Sequence, residues 1–172
     1  HTHAAVRDGA DIAQMAVAPN GTLYVVWQDA RFSNGAIDAI VIARSTDGGR
    51  TWSAPRRLNT AIGVAAFTPS VHVAPDGTVG VSYYDFRSNT PDTGSLATDY
   101  WLARSDNGGL TWVESRIASP FDLDMAPNAG GFFLGDYEGL TSVGSVFMNL
   151  YVVANADTSN RTDVITQAVT YP

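Results

Sequence analysis

Ser45-Thr-Asp-Gly-Gly-Arg-Thr-Trp52 is written again as Ser105-Asp-Asn-Gly-Gly-Leu-Thr-Trp112. More of the same unit lies upstream of each copy. Val17-Ala-Pro-Asn-Gly-Thr22 recurs as Val73-Ala-Pro-Asp-Gly-Thr78, and Gln28-Asp-Ala-Arg31 recurs as Tyr84-Asp-Phe-Arg87. The offset is 56 residues from Met15/Val71 through Asp29/Asp85 and 60 at Trp52/Trp112, so the second copy is longer between these points. Repetition at this period, made of short β-patterned segments, is the signature of propeller blades.

Each unit divides into four strands. In the first, residues 12–18 end at Pro19-Asn20-Gly21, and Asn-Gly is the strongest short hairpin signal. Residues 22–29 follow, with Leu23, Val25 and Trp27 on one face and Tyr24, Val26 and Gln28 on the other. Strands over 39–44 and 51–58 complete the unit. The second unit repeats them at 70–74, 78–85, 99–104 and 111–117, with Tyr83 in the place of Trp27. Both faces of the second strand are apolar, as expected where sheet stacks on sheet. Within each repeated turn, the Asp or Asn at the third position accepts from backbone N–H groups two residues on, as an Asx-turn does. The glycines permit φ > 0, and the closing Trp packs over the hairpin. This structural reading is preferred to calcium binding by Asp47, Asp106 and Asn107, because the regular longer spacing of oxygen ligands is missing.

Composition bounds the function. The 172 residues are 45% hydrophobic and contain sixteen glycines and eight prolines, which suits an all-β chain with tight turns. Cysteine is absent, so there is no disulfide framework and no thiolate metal site. The net charge is −7 and all ten basic residues are arginine. With no basic stripe, nucleic acid is not an expected partner. No apolar run reaches the length of a membrane span. No cofactor is expected; His1-Thr-His3 could form a metal site and reads equally well as a processed terminus, so no metal site is assigned. His72 lies on an inner strand and reads as packed or hydrogen-bonded.

The two turns resemble the Asp-box, or BNR repeat, of sialidases and related propellers. The residues that carry the resemblance are Ser45, Asp47, Gly49, Thr51 and Trp52, matched by Ser105, Asn107, Gly109, Thr111 and Trp112; it extends over residues 12–169. It implies a sialidase-like propeller of four-stranded antiparallel blades, and it favours a secreted or periplasmic setting. The family holds both enzymes and non-catalytic binding proteins. Its early Arg-Ile-Pro motif does not occur here, and Arg31 and Arg87 are the candidates for its carboxylate-clamping arginines.

A diverged third unit follows, with strands expected at 137–143, 146–155 and 163–169 and no fourth strand. Residues 1–8 read as an outer strand that completes another blade. Blade 1 then occupies 9–60, blade 2 occupies 61–118 and the incomplete blade 3 occupies 119–172, within a single propeller segment. Three blades cannot close, since propellers use about four to eight. The expectation is either a piece of a longer polypeptide or a homodimer that closes a six-bladed ring, each N-terminal strand finishing the partner's last blade.

In a four-stranded blade the second-to-third loop and the inter-blade link share one face. Asp29, Arg31, Asp85, Arg87, Asp122, Asp124, Asp136, Tyr137 and Glu138 therefore converge on one rim. The two Asp-x-Arg pairs occupy equivalent positions, so the preferred reading is a repeated salt bridge that pins its loop; the third copy, Asn155-Ala-Asp157, has lost the Arg. Asp136, Tyr137 and Glu138 are the catalytic candidates, read first as loop anchors and packing residues. Sialidases use a tyrosine nucleophile activated by a glutamate, but adjacent residues on a strand face opposite ways, so Tyr137 and Glu138 cannot form that pair. Asp29, Arg31, Asp85, Arg87, Asp124, Asp136 and Tyr137 are the ligand-binding candidates. Glycan recognition on this rim is the leading function, with Trp27, Tyr83, Tyr84, Phe86 or Tyr137 as apolar platforms. A sialidase-type glycoside hydrolase and a protein-binding scaffold are the alternatives.

Overall fold

The computed structural model describes residues 5–91 and 94–171. Two four-stranded sheets and one three-stranded sheet stand side by side as propeller blades. Blade 1 comprises, after the short β1 (Val6–Arg7), β2 (Gln14–Val17), β3 (Leu23–Asp29), β4 (Ala39–Ser45) and β5 (Arg56–Arg57). Blade 2 comprises β6 (Ala66–Val73), β7 (Val79–Asp85), β8 (Ala97–Ser105) and β9 (Val113–Asp122). After β10 (Phe132–Phe133), blade 3 comprises β11 (Gly139–Val143), β12 (Val146–Ala154) and β13 (Thr162–Thr170). Every pairing within a blade is antiparallel between consecutive strands. Among the described residues no helix is long and apolar enough to cross a membrane.

Several strands differ from the sequence reading at their ends. The expected outer strand over 51–58 shrinks to Arg56–Arg57: the Ser53 N–H still reaches the Arg44 carbonyl of β4 at 2.9 Å, but Pro55 has no N–H to continue the ladder between them. The inner strand expected at 70–74 begins earlier, at Ala66. Its pairing slips between Phe67 and Ser70, and that irregularity accommodates Pro69, which has no N–H to give a ladder. For the N-terminal segment, residues 1–4, with His1 and His3, lie outside the described residues. Val6 and Arg7 pair in parallel with Phe132 and Phe133 of the same chain.

Stacking decides burial. Tyr24, Val26, Ile40, Ile42 and Leu58 of blade 1 pack on Val71, Val73, Val79, Val81 and Tyr83 of blade 2. A second cluster, rich in aromatics, joins blades 2 and 3 through Phe67, Tyr84, Tyr100, Tyr151, Leu123 and Leu134. All seven residues of β7 are buried because both of its faces are covered. In β3 only Tyr24, Val26 and Gln28 are buried; Leu23, Val25 and Trp27 stay half-open.

The repeated turns hold themselves by side-chain bonds. Asp47 accepts from the Thr51 N–H at 2.9 Å and the Thr51 hydroxyl at 2.6 Å, while Ser45 accepts from the Gly49 N–H at 2.9 Å. The acceptor contact therefore reaches four residues on rather than two. Hydrogen bonds from Thr51 hold the Asp47 carboxyl down at about 2. Asn107 accepts from the Thr111 N–H at 3.0 Å, so the amide replaces the carboxylate. Gly48, Gly49, Gly108 and Gly109 all have left-handed φ. The Trp52 ring lies over Gly49 and donates to its carbonyl at 3.2 Å. His72 bonds Ser142 at 2.9 Å and meets the Phe147 ring edge-on.

Candidate functional site

The antiparallel order fixes one common edge. There β3 and β7 end, while β4, β6, β8 and β11 begin, so the second-to-third loops and the links into the inner strands emerge together. Asp29, Arg31, Asp85, Arg87, Asp136 and Tyr137 all lie at this rim, and Asp124 lies in the 3-10 turn that follows β9.

The two Asp-x-Arg pairs are local ion pairs with different surroundings. Arg31 Nε donates to Asp29 Oδ2 at 2.6 Å, and the Trp27 indole donates to the same oxygen at 2.8 Å. The Arg31 bond holds the Asp29 carboxyl at about 2. This pair is open, with 48% of the Arg31 side chain exposed. Arg87 Nε donates to Asp85 Oδ2 at 2.6 Å, but its guanidinium turns inward. It stacks 3.6 Å over the Trp101 ring and donates to Glu114 at 2.9 Å. Trp101 supplies the indole bond to Asp85 at 3.0 Å, from the neighbouring strand. Asp85 is fully buried, and burial pushes its carboxyl up against the pull of Arg87. The polar atoms of Asp85 and Arg87 are thus committed inside the protein.

Two tyrosine–glutamate pairs are present that sequence spacing did not reveal. Tyr83 donates to Glu114 at 2.5 Å, and Glu114 also accepts from the Thr60 N–H and hydroxyl, at 2.8 and 2.6 Å. Tyr84 lies 2.8 Å from Glu138. Strand pairing and blade stacking make both pairs from residues 31 and 54 apart in the chain. Both rings are fully buried. Burial first, then the glutamate charge, raises both phenols well above the ordinary value. A sealed phenol that resists ionisation is not a nucleophile; Tyr83–Glu114 ties β7 to β9 within blade 2, and Tyr84–Glu138 ties blade 2 to the segment that enters blade 3.

The groups that do meet at the mouth come from three blades. A Cβ on Gly9 would stand 3.0 Å from the Asp136 carbonyl oxygen, so the segments leading into blades 1 and 3 touch. Arg7 faces Asp136 across 4.0 Å. Gln28, buried at the end of β3, donates to Asp8 at 3.0 Å and accepts from the Thr68 N–H at 2.8 Å. Thr68 is held at φ 47, a left-handed conformation costly for a β-branched residue. Burial raises the Asp38 carboxyl, and the Asp8 charge adds to that rise. Gln28 and Tyr84 occupy the same place in the two repeats, and each reaches into the blade that follows. A polar side chain recurring among apolar neighbours was the one sequence signal for this role.

Outward from the mouth, the 30–38 loop and the link after β5 enclose a cleft of about 220 Å³. Phe32 and Ile62 form apolar walls and are 48% and 78% exposed. Asp38 and Arg57 supply the charge, and the Arg57 guanidinium has no ion pair or hydrogen-bond partner among the described residues. Tyr137 is 66% exposed beside the mouth.

No protein-family model matches the sequence, and no curated protein sequence matches it. Solved structures do. An α-L-arabinanase of Penicillium chrysogenum complexed with arabinobiose aligns with a TM-score of 0.66 at 22% identity, over 92% of this chain and 45% of that one. An α-L-arabinofuranosidase of Fusarium graminearum with an iminosugar inhibitor aligns at 0.67 and 21% identity, over 92% and 44%. A Hadza microbial sialidase aligns at 0.58 and 20% identity, over 90% and 34%. At these identities the likeness shows the fold: this chain folds as part of a β-propeller. It spans less than half the length of each of these structures.

Proposed function

We propose that this chain is a glycan-recognition module of a sialidase-like Asp-box propeller, and that it holds sugar on the rim between the Asp38–Arg57 cleft and the Asp8–Asp136 mouth. The observation that carries the reading is the cleft itself. An exposed aromatic ring, an aliphatic wall, a carboxyl and an unpaired guanidinium around about 220 Å³ suit a sugar, with one apolar face to stack and hydroxyls to bond. The propellers that align with the chain support it, since two of them were solved with arabinobiose or an iminosugar. Asp136 and Tyr137 extend the surface toward the axis. In this reading Asp29 and Arg31 border the cleft, while Asp85 and Arg87 hold the loop.

Saturation-transfer NMR with arabinobiose and with a sialoside tests the proposal. Phe32→Ala and Arg57→Ala are expected to remove the sugar signal without changing the melting temperature. A wild-type chain that binds neither probe, nor any member of a glycan array, would leave the scaffold reading ahead. We propose further that the half-open apolar faces of blades 1 and 3, with Met15, Val17, Val143 and Val164 exposed, are covered by other blades. These come either from a homodimer partner in a six-bladed ring or from further chain. A solution mass twice that of one chain would identify the dimer.

A further inference from the structure

The Tyr84 hydroxyl has more partners than protons. The Val152 N–H donates to it at 2.9 Å, the Val152 carbonyl lies 2.8 Å away, and Glu138 Oε1 lies 2.8 Å away. A phenol carries one proton and two lone pairs. If Glu138 were ionised, that single proton would serve either the carboxylate or the carbonyl, and the remaining acceptor would face an oxygen with no hydrogen between them. With a proton on Glu138 the chain closes. Glu138 donates to Tyr84, Tyr84 donates to the Val152 carbonyl, and the Val152 N–H fills the second lone pair. Each of the three contacts then holds one hydrogen.

The charges around Glu138 agree with this arrangement. The titratable groups that face it from β7 and β8 are Tyr84 and Tyr100, both neutral phenols. No arginine is paired with it among the described residues. Asp136 precedes it on its own segment, and the charge opposite Asp136 is Arg7. Burial raises the Glu138 carboxyl to about 8 and outweighs the opposing hydrogen bonds from Tyr84 and from the Val152 N–H, which Glu138 shares with Tyr84.

We infer that Glu138 is a neutral carboxylic acid, positioned by Tyr84, and is the proton donor of a hydrolytic site at the propeller mouth. The inference rests on the glycan reading above. In the step it supports, the glycosidic oxygen takes the Glu138 proton as its bond to the anomeric carbon breaks. Water adds to that carbon and gives its proton to the Asp136 carboxylate. The new Glu138 carboxylate accepts the Tyr84 proton in place of the Val152 carbonyl.

Glu114 and Glu138 are the only glutamates in the chain, so carbon-13 labelling of glutamate side chains yields two carboxyl signals. Glu138→Gln assigns them; should that chain not fold, Glu114→Gln does. The Glu138 signal is expected to titrate near pH 8 and the Glu114 signal below the ordinary carboxylate range. Wild-type protein is expected to cleave an umbelliferyl α-L-arabinofuranoside or sialoside, with kcat/KM falling above the Glu138 midpoint. Glu138→Gln is expected to lose about a hundredfold or more. A Glu138 midpoint in the ordinary carboxylate range overturns the proposal by itself. Sugar binding without cleavage by the wild type overturns the donor role and leaves the glycan reading intact, whereas absence of both overturns both.

Discussion

Arg87→Ala separates two positions that look identical in sequence. Arg87 neutralises Asp85, whose side chain is fully buried, and Glu114, whose side chain is 7% exposed. Its removal leaves both carboxylates without a counter-charge and strips the guanidinium from the Trp101 face. Breaking a buried pair by deleting one partner costs about 3–5 kcal/mol. For a chain of this size each kcal/mol moves Tm by roughly 2–4 °C, so a fall of roughly 6–20 °C is expected. Arg31→Ala removes a half-exposed partner from an open pair, and Tm should stay within error of wild type. The acid dependence carries a sign. Without Arg87, burial holds the Asp85 carboxyl still further above its unfolded value, so the Asp85 contribution is fully present below the unfolded pKa and is lost as pH rises. In the wild type the hydrogen bonds of Glu114 keep its carboxyl low against burial, and that contribution is lost as pH falls. The gap between the proteins should therefore narrow toward acid. Calorimetric melts over pH, with sugar binding measured on the same samples, provide the assay. If Arg87→Ala melted no lower than Arg31→Ala, or lost sugar at unchanged Tm, the structural role assigned to Arg87 would be wrong.

Gly80→Ala should destabilise by about 1–3 kcal/mol, because a Cβ there would stand 2.5 Å from the Phe147 ring, which is itself fully buried. Pairing it with Phe147→Leu should return part of the loss, read as a coupling in a double-mutant cycle. Glu138 should make wild-type stability decline as pH rises from its ordinary value of 4.5 toward about 8, since the folded state holds the proton more tightly. Glu138→Gln should flatten that slope in thermal melts. Asp47→Asn should keep Tm at neutral pH, as Asn107 does the same work in the second turn, while Asp47→Ala should lower it.

The repeated turns, the Asn-Gly hairpin and the doubly apolar second strands determined the blades from the sequence alone, because these features act over short distances. Strand ends were less legible. Pro69 lies just outside the strand expected at 70–74, yet an irregularity in the β6 ladder lets it sit within a strand, and that depends on the facing Tyr84 and Ser82 rather than on its own neighbours. The rim was legible as topology, since strand order alone sends the loops to one edge. What each rim residue does was not. Asp29-Ala-Arg31 and Asp85-Phe-Arg87 are the same word, and only stacking against a second blade buries one and leaves the other open. Tyr83 and Tyr84 read as platform aromatics. The strand order of blade 2 instead set one beside Glu114, and blade packing set the other beside Glu138, across separations that no local pattern encodes. Asp8, Asp38 and Arg57 carried no motif, because a cleft made by two loops exists only once the chain has folded. Local turn chemistry therefore specified the blade, and long-range desolvation and charge pairing specified which of its polar groups remain free to act.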